Sequence, residues 1–252
     1  MIGILDSGIG GVTVFREILK NIPKGHFVYY SDSINNPYGN KSKEEIILIL
    51  DNIVKKLINM GCLIIVIACN TASSIGVNFL REKYSDIKFI AIEPAYKMVH
   101  DNNPRGKTLV MATLGTIESE KFLKLYHKYD NHNTILLPCI GLAELIENNK
   151  NVIPYLSDIL SEYKDIQNVV LGCTHYPLIK DDIKNILGDV TFYDGAKGVT
   201  KELLRVLKIH KINYEFAELE IKFIDSSKDK TKEKRFWELL NPKEQPQRLK
   251  TD

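Results

Sequence analysis

Two short stretches, about a hundred residues apart, constrain this chain more than anything else in it. The first is the apolar run Leu63-Ile64-Ile65-Val66-Ile67, followed at once by Ala68-Cys69-Asn70-Thr71-Ala72-Ser73. A run of that length, rich in β-branched residues, reads as a strand buried on both faces of a parallel sheet. A helical pattern with Ile75, Phe79 and Leu80 comes next. The second stretch repeats the arrangement: Val169-Val170-Leu171-Gly172, then Cys173-Thr174-His175-Tyr176-Pro177. Each puts a cysteine at the carboxyl end of a strand, which is where ligands bind in open α/β sheets. Such a chain is expected to fold as two similar units, each presenting one thiol.

The remaining pattern fits that expectation. A strand at 2–5 leads through Asp6-Ser7-Gly8-Ile9-Gly10-Gly11 into a helix with Val14, Phe15, Ile18 and Leu19 on one face. A strand at 27–30 ends in a polar loop containing Asp32, Asn35, Asn36, Pro37, Tyr38 and Gly39. Ser42 and Glu45 have capping-box spacing for a helix running to about Asn59. The Cys69 strand occupies 63–67, and another strand lies at 88–92. Pro94 and the run from Asp101 to Gly106 mark a crossing into a second series. That series contains a strand at 108–112, the loop Thr113-Leu114-Gly115-Thr116, and a helix with Phe122, Leu125 and Tyr129. It continues with a strand at 134–137, a short helix ending near Glu147 and a helix at 152–163. After the Cys173 strand come a helix with Ile179, Ile183 and Leu187, a strand at 190–193 and a helix at 197–207. The tail adds a strand at 221–224 and a charged helix with Phe236, Trp237 and Leu240, and 242–252 reads as frayed. The fold class is α/β: two parallel-sheet units related by a pseudo-two-fold axis, with right-handed crossovers and the site in the cleft between them. The first unit is expected to comprise 1–96 plus 208–252, and the second 97–207.

Composition limits the partners. A formal net charge of +2 is too small to point to nucleic acid or an anionic membrane surface. No apolar run approaches a membrane span, and the sequence enters a strand directly at Ile2, so a cytoplasmic protein is expected. The cysteines Cys62, Cys69, Cys139 and Cys173 have no CxxC spacing and should be free thiols in a reducing compartment. No lysine stands in a recognisable pyridoxal-binding context and no metal-ligand spacing occurs. No cofactor and no metal are expected.

A cysteine just before a helix can have its thiol pKa lowered by the helix amides. A buried structural cysteine is the competing reading. Asn70, Thr71, Thr174 and His175 favour a site, since polar residues cluster at two strand ends where a polar ligand lies. Asp6-Ser7-Gly8 reads either as a helix N-cap or as a turn whose glycines let backbone amides approach a carboxylate. It lacks the spacing of nucleotide-binding glycine motifs. His175 could be a general base, a metal ligand or a satisfied polar residue. Beside a thiolate its natural role is proton partner. Read locally, Glu147 is a solvated helix residue and Tyr38 a turn aromatic.

At these motifs the sequence resembles the glutamate racemases of the aspartate/glutamate racemase family. The resemblance runs to about residue 241 and rests on DSGIGG at 6–11, NPYGNKS at 36–42, ACNTAS at 68–73, ATLGTIES at 112–119 and GCTHYPLI at 172–179. It implies that Cys69 and Cys173 are the catalytic bases. Asp6 and His175 would be their proton-handling partners, and Glu147 an auxiliary acid. It further implies that Asp6, Ser7, Tyr38, Gly39, Asn70, Thr71, Thr174 and His175 hold substrate, with Thr113 and Thr116 lining the cleft. The implied substrate is L- or D-glutamate, the assembly a homodimer, and the role a supply of D-glutamate for peptidoglycan. An aspartate or other acidic amino-acid racemase is the neighbouring reading. A Cys173–His175 hydrolase is a more distant one, because residues two apart on such a turn rarely aim at one another.

Overall fold

The computed structural model describes residues 1–103, 105–130, 132–212 and 218–241. Strands β1 (Ile2–Asp6), β2 (Gly25–Ser31), β3 (Ile64–Ile67) and β4 (Lys88–Ala91) alternate with helices α1 (Val12–Asn21), α2 (Lys43–Asn59) and α3 (Asn70–Lys83). Helix α4 (Tyr96–Asn102) leads into β5 (Thr108–Ala112), α5 (Leu114–Ile117), α6 (Glu120–Tyr129) and β6 (Thr134–Pro138). Next come α7 (Leu142–Glu147), α8 (Ile153–Leu160), β7 (Asn168–Gly172), α9 (Lys180–Leu187), β8 (Thr191–Tyr193) and α10 (Ala196–Ile209). The last two elements are β9 (Leu219–Asp225) and α11 (Lys230–Leu240).

The expected alternation is present, and the differences are local. The capping box forms: Glu45 N donates to Ser42 Oγ at 3.2 Å, and Ser42 N donates to Glu45 Oε2 at 2.8 Å. Such a cap is worth on the order of 1 kcal/mol. The strand expected at 63–67 begins at Ile64, and Leu63 is solvent-exposed. The segment expected as a loop after β5 makes the short helix α5, with Thr113 Oγ1 accepting from Thr116 N at 3.2 Å. Helix α4 lies where the sequence marks a domain crossing. Neither α4 nor α5 is long enough to establish a hydrophobic period. The tail expected to fray lies outside the described residues.

Among the described residues every strand pairing is parallel, in two sheets. The first has the order β4-β3-β1-β2-β9 and the second β6-β5-β7-β8. Counted within its own unit, each sheet runs second, first, third, fourth, with β9 added beyond β2. The two halves thus repeat one topology, as the pseudo-two-fold expectation requires. In this order the crossovers change direction between the first and third strands, and ligands bind in the crevice opened there. In the first sheet that crevice lies between β1 and β3, whose ends carry Asp6 and Cys69. In the second it lies between β5 and β7, which lead into Thr113 and Cys173.

Alternating side chains of each strand feed different layers. Ile4, Ile64 and Val66 pack with α1, α10 and α11. Leu5, Ile65 and Ile67 pack with α2 and α3 on the opposite face. In the second sheet Leu109, Met111, Val169 and Leu171 meet α7, α8 and α9, while Val110 and Val170 meet α4 and α6. The expected boundary between residues 207 and 208 falls inside α10, whose Val199, Leu203 and Leu207 belong to the first core. We therefore propose that the first unit resumes near Gly195. Among the described residues no helix is long and apolar enough to cross a membrane.

Helix α11 closes the first core. Phe236 is fully buried, its ring centroid 4.3 Å from Phe223 and 4.6 Å from Tyr29. Removing such a ring from a core typically costs about 3–5 kcal/mol. Phe236→Ala should lower the urea-unfolding free energy by that amount and shift the midpoint without abolishing the transition.

Candidate active site

The first crevice is built by the turn after β1. Asp6 is fully buried; its Oδ1 accepts from Gly8 N at 3.0 Å and its Oδ2 from Thr174 Oγ1 at 3.1 Å. The second bond crosses to the other unit. Ile9 N also crosses, donating to Glu147 Oε2 at 3.0 Å. The amides of the glycine turn therefore do approach carboxylates, but carboxylates of the protein itself. Close approaches leave this turn no room for side chains at its glycines. A Cβ on Gly8 would run into the Glu147 carboxylate, and one on Gly10 would lie 2.5 Å from His175 Nδ1.

Cys69 is the N-cap of α3 and is 6% exposed; its sulfur accepts from Ala72 N at 3.5 Å. The expectation that helix amides hold this thiol as a thiolate is not met here. Burial, reinforced by the Asp6 charge, pushes it up to about 12, against smaller opposing effects of the Ala72 amide and the Ser7 hydroxyl. Asn70, the next residue, is 3% exposed, and both its side-chain Oδ1 and Nδ2 are buried without a hydrogen-bond partner. A buried amide left so costs on the order of 1–3 kcal/mol.

Cys173, 8% exposed, stands on the equivalent strand of the second unit with different company. The chain continues from it into a 3-10 turn, Tyr176–Ile179, with His175 just before that turn. The Cys173 Sγ lies 3.7 Å from His175 Nδ1, and His175 Nε2 lies 2.6 Å from Glu147 Oε2. Two residues apart, cysteine and histidine do face one another. Burial alone would depress the imidazole pKa, but its contacts with Cys173 and Glu147 outweigh that and raise it well above the usual histidine value. Burial would likewise raise Glu147; His175, the Ile9 amide and Lys232 pull it below the usual carboxylate value. Glu147, expected from local pattern to be solvated, is thus 3% exposed and part of a buried ion pair.

Hydroxyls join the two crevices. Thr71 Oγ1 is 2.9 Å from Thr113 Oγ1 and 3.4 Å from Thr116 Oγ1, and Thr113 Oγ1 donates to Thr116 Oγ1 at 2.9 Å. Thr13 Oγ1 donates to the Thr174 carbonyl at 3.0 Å. The Tyr38 hydroxyl donates to Asp32 Oδ2 at 2.7 Å and its ring lies in the α2/α3 core. Gly39 packs against Thr113. Sequence reasoning missed Asn36, whose Nδ2 donates to the Ser7 carbonyl at 3.0 Å, and Tyr29, whose hydroxyl donates to the Gly8 carbonyl at 3.0 Å. It also missed Lys232 and Arg235 of α11, which reach Glu147. Their residue types on a charged helix give no local signal. Among the described residues, no group of three or more His, Cys, Asp or Glu is arranged to hold a metal ion.

The sequence profile of the family described as Asp/Glu/Hydantoin racemase matches residues 17–203. The chain belongs to that family. A glutamate racemase of Clostridium acetobutylicum is 42% identical over 236 residues, covering 90% of this chain and 92% of the relative. The crystal structure of glutamate racemase from Francisella tularensis in complex with D-glutamate superposes with a TM-score of 0.80 at 30% identity, covering 95% of this chain and 93% of the other. That of the Escherichia coli enzyme, in complex with L-glutamate and the activator UDP-MurNAc-ala, gives 0.83 at 26% identity, covering 96% and 92%. As a member of this racemase family the chain is an isomerase, and its two-unit parallel α/β architecture is that of these structures.

Burial in this racemase pushes Asp6 up from 3.8 to about 6, against the opposing His175 charge, Gly8 amide and Thr174 hydroxyl. Between those values the folded state binds more protons than the unfolded chain, so the Asp6 contribution to stability falls as pH rises. It is fully present below about 3.8 and lost above about 6, a swing of roughly 3 kcal/mol. Asp6→Asn removes the ionisation while keeping the shape. It should be more stable than the parent by about 1–3 kcal/mol at pH 8, with the gain gone at pH 4, as read from urea unfolding at both pH values.

Proposed function

We propose that this protein interconverts L- and D-glutamate without a cofactor, using Cys69 and Cys173 as two bases on opposite faces of the α-carbon. The observation that carries the reading is that the two thiols stand at equivalent strand ends of two topologically repeated units, each beside its own proton partner. Racemisation removes a proton from one face and returns one to the other, so one base per face suffices. Cys69 takes the α-proton of D-glutamate while the Cys173 S–H delivers one to the opposite face; L-glutamate reverses the roles. Asp6 is the proton partner of Cys69. The His175 imidazolium, fixed by Glu147, is the partner of Cys173.

The electrostatics favour this division of labour. In the empty site the Cys69 thiol is held protonated by burial and the Asp6 charge. A substrate ammonium beside it offsets both effects and so favours the thiolate when there is a proton to remove. The α-proton is very weakly acidic, so the carbanion needs fixed donors in a site closed to water. Asn70, with its unpartnered amide, and the hydroxyls of Ser7, Thr71, Thr113, Thr116 and Thr174 are assigned to hold the carboxylates, with Gly39 closing the rim. Glutamate is preferred over aspartate because the family resemblance is to glutamate racemases and the relatives above were solved with D- and L-glutamate. A cytoplasmic location, a homodimer and a role in supplying D-glutamate for peptidoglycan accompany this reading.

Glutamate racemised in deuterated water should yield product carrying solvent deuterium at the α-carbon, while remaining substrate carries little early in the reaction. Cys69→Ala and Cys173→Ala should each lower racemisation at least 1,000-fold, roughly the loss of a general base, measured by circular dichroism. Equal labelling of substrate and product, or near-full activity in either variant, would overturn the two-base scheme. L-aspartate turned over as fast as L-glutamate would overturn the substrate.

With the thiols only 6% and 8% exposed, substrate enters when the two units part. Saturating D-glutamate should therefore narrow the distribution of radii in solution scattering relative to the free protein, and identical profiles would count against closure.

A further inference from the structure

We infer that Lys232, on the C-terminal helix α11, is a positioning residue that compensates the buried Glu147 carboxylate of the Glu147–His175 pair and thereby tunes the reactivity of Cys173. This inference rests on the reading of Cys173 as a catalytic base. Glu147 has one oxygen fully engaged: Oε2 accepts from Ile9 N and faces His175 Nε2. Its other oxygen, Oε1, is buried and has no hydrogen-bond partner. The Lys232 Nζ lies 3.6 Å from that oxygen, with the lysine side chain 18% exposed. One helical turn further along the same face, the Arg235 guanidinium donates to the Glu147 carbonyl. Helix α11 therefore grips the end of α7 at two points, although it packs in the first unit and α7 in the second.

A carboxylate buried this deeply stays charged only where opposite charge compensates it. The charged and titratable groups that act on Glu147 are His175, Lys232 and Arg235, which favour its carboxylate, and Asp6 and Tyr29, which do not. Without Lys232, Oε1 loses the ammonium 3.6 Å away, and His175 and Arg235 are left to compensate the carboxylate. The Glu147 carboxylate then holds a proton more readily, and the Cys173 sulfur, 3.7 Å from His175 Nδ1, sits in a less positive surrounding. Cys69 has no such chain: its neighbours are Asp6, Ser7 and the Ala72 amide. The predicted effect is therefore confined to one thiol.

The test uses the substrate-free full-length protein and iodoacetamide, with alkylation of each of the four cysteines followed by peptide mass spectrometry across pH. In Lys232→Met the rate at Cys173 near pH 7 should fall about three- to ten-fold, the size expected for one nearby charge at partial exposure. Its profile should move to higher pH while that of Cys69 stays in place. Lys232→Arg should restore the parent profile at Cys173. An unchanged Cys173 profile in Lys232→Met, equal changes at Cys62, Cys69, Cys139 and Cys173, or no rescue by arginine would each overturn the inference. The readout is independent of turnover. If Cys173→Ala racemised normally, the two-base reading would fail while the alkylation result still decided the role of Lys232.

Discussion

The contact on which most of this structure depends is the burial of the Glu147–His175 pair against the glycine turn of the other unit. Two charged side chains, each 3% exposed or less, sit where two domains meet. Such a pair is not a strong source of stability, because desolvation offsets much of the attraction. It is held by geometry instead: the Ile9 amide on one side, Cys173 beyond the imidazole, and turn positions that tolerate no side chain at Gly8 and Gly10. The same turn carries Asp6, which reaches back across the interface to Thr174. One short glycine-rich segment thus fixes both the carboxylate near Cys69 and the imidazole beside Cys173. That is a physical reason for the glycines of this turn.

The scaffold is repeated, yet its chemistry is not. Equivalent crevices hold Cys69 beside a carboxylate and a helix N-terminus, and Cys173 beside an imidazolium on a 3-10 turn. A carboxylate neighbour opposes thiolate formation, whereas an imidazolium favours it. The empty site is therefore biased toward one charge arrangement, with Cys69 the protonated member.

Much of this was legible in the sequence because it is local or periodic. The β-branched runs before Cys69 and Cys173, the Ser42–Glu45 box and the polar clusters after each strand are signals that a few adjacent residues carry. They led to the sheets, the crevices and the paired thiols. What was not legible depends on distance. Glu147 reads as solvated because its burial is created by β1's turn and by α11, 138 residues before it in one case and 88 after it in the other. Tyr38 reads locally as a turn aromatic, but the neighbouring Asp32 draws its hydroxyl inward and its ring is buried. The rise of Cys69 to about 12 contradicts the helix-terminus argument because desolvation is a property of the whole cleft. Helix α10 illustrates the same limit: its amphipathic pattern gives its length but does not say which of two similar sheets it covers.

Helix α11 ties these observations to domain motion. Phe236 anchors it in the aromatic cluster with Tyr29 and Phe223, and the Tyr29 hydroxyl holds the Gly8 carbonyl of the catalytic turn. From the same helix Lys232 and Arg235 reach across to Glu147. The helix therefore touches the supports of both thiols, one through the core of its own unit and one across the interface. If the units part to admit substrate, the contacts to Glu147 are among those that must loosen, while the aromatic anchor lies within one unit and can persist. Opening would then expose the Glu147–His175 pair to water, where its ionisation matters least, and closing would restore its compensation as water leaves the cleft. The surroundings of the Glu147–His175 pair in the second unit are in this way completed by contacts from the first.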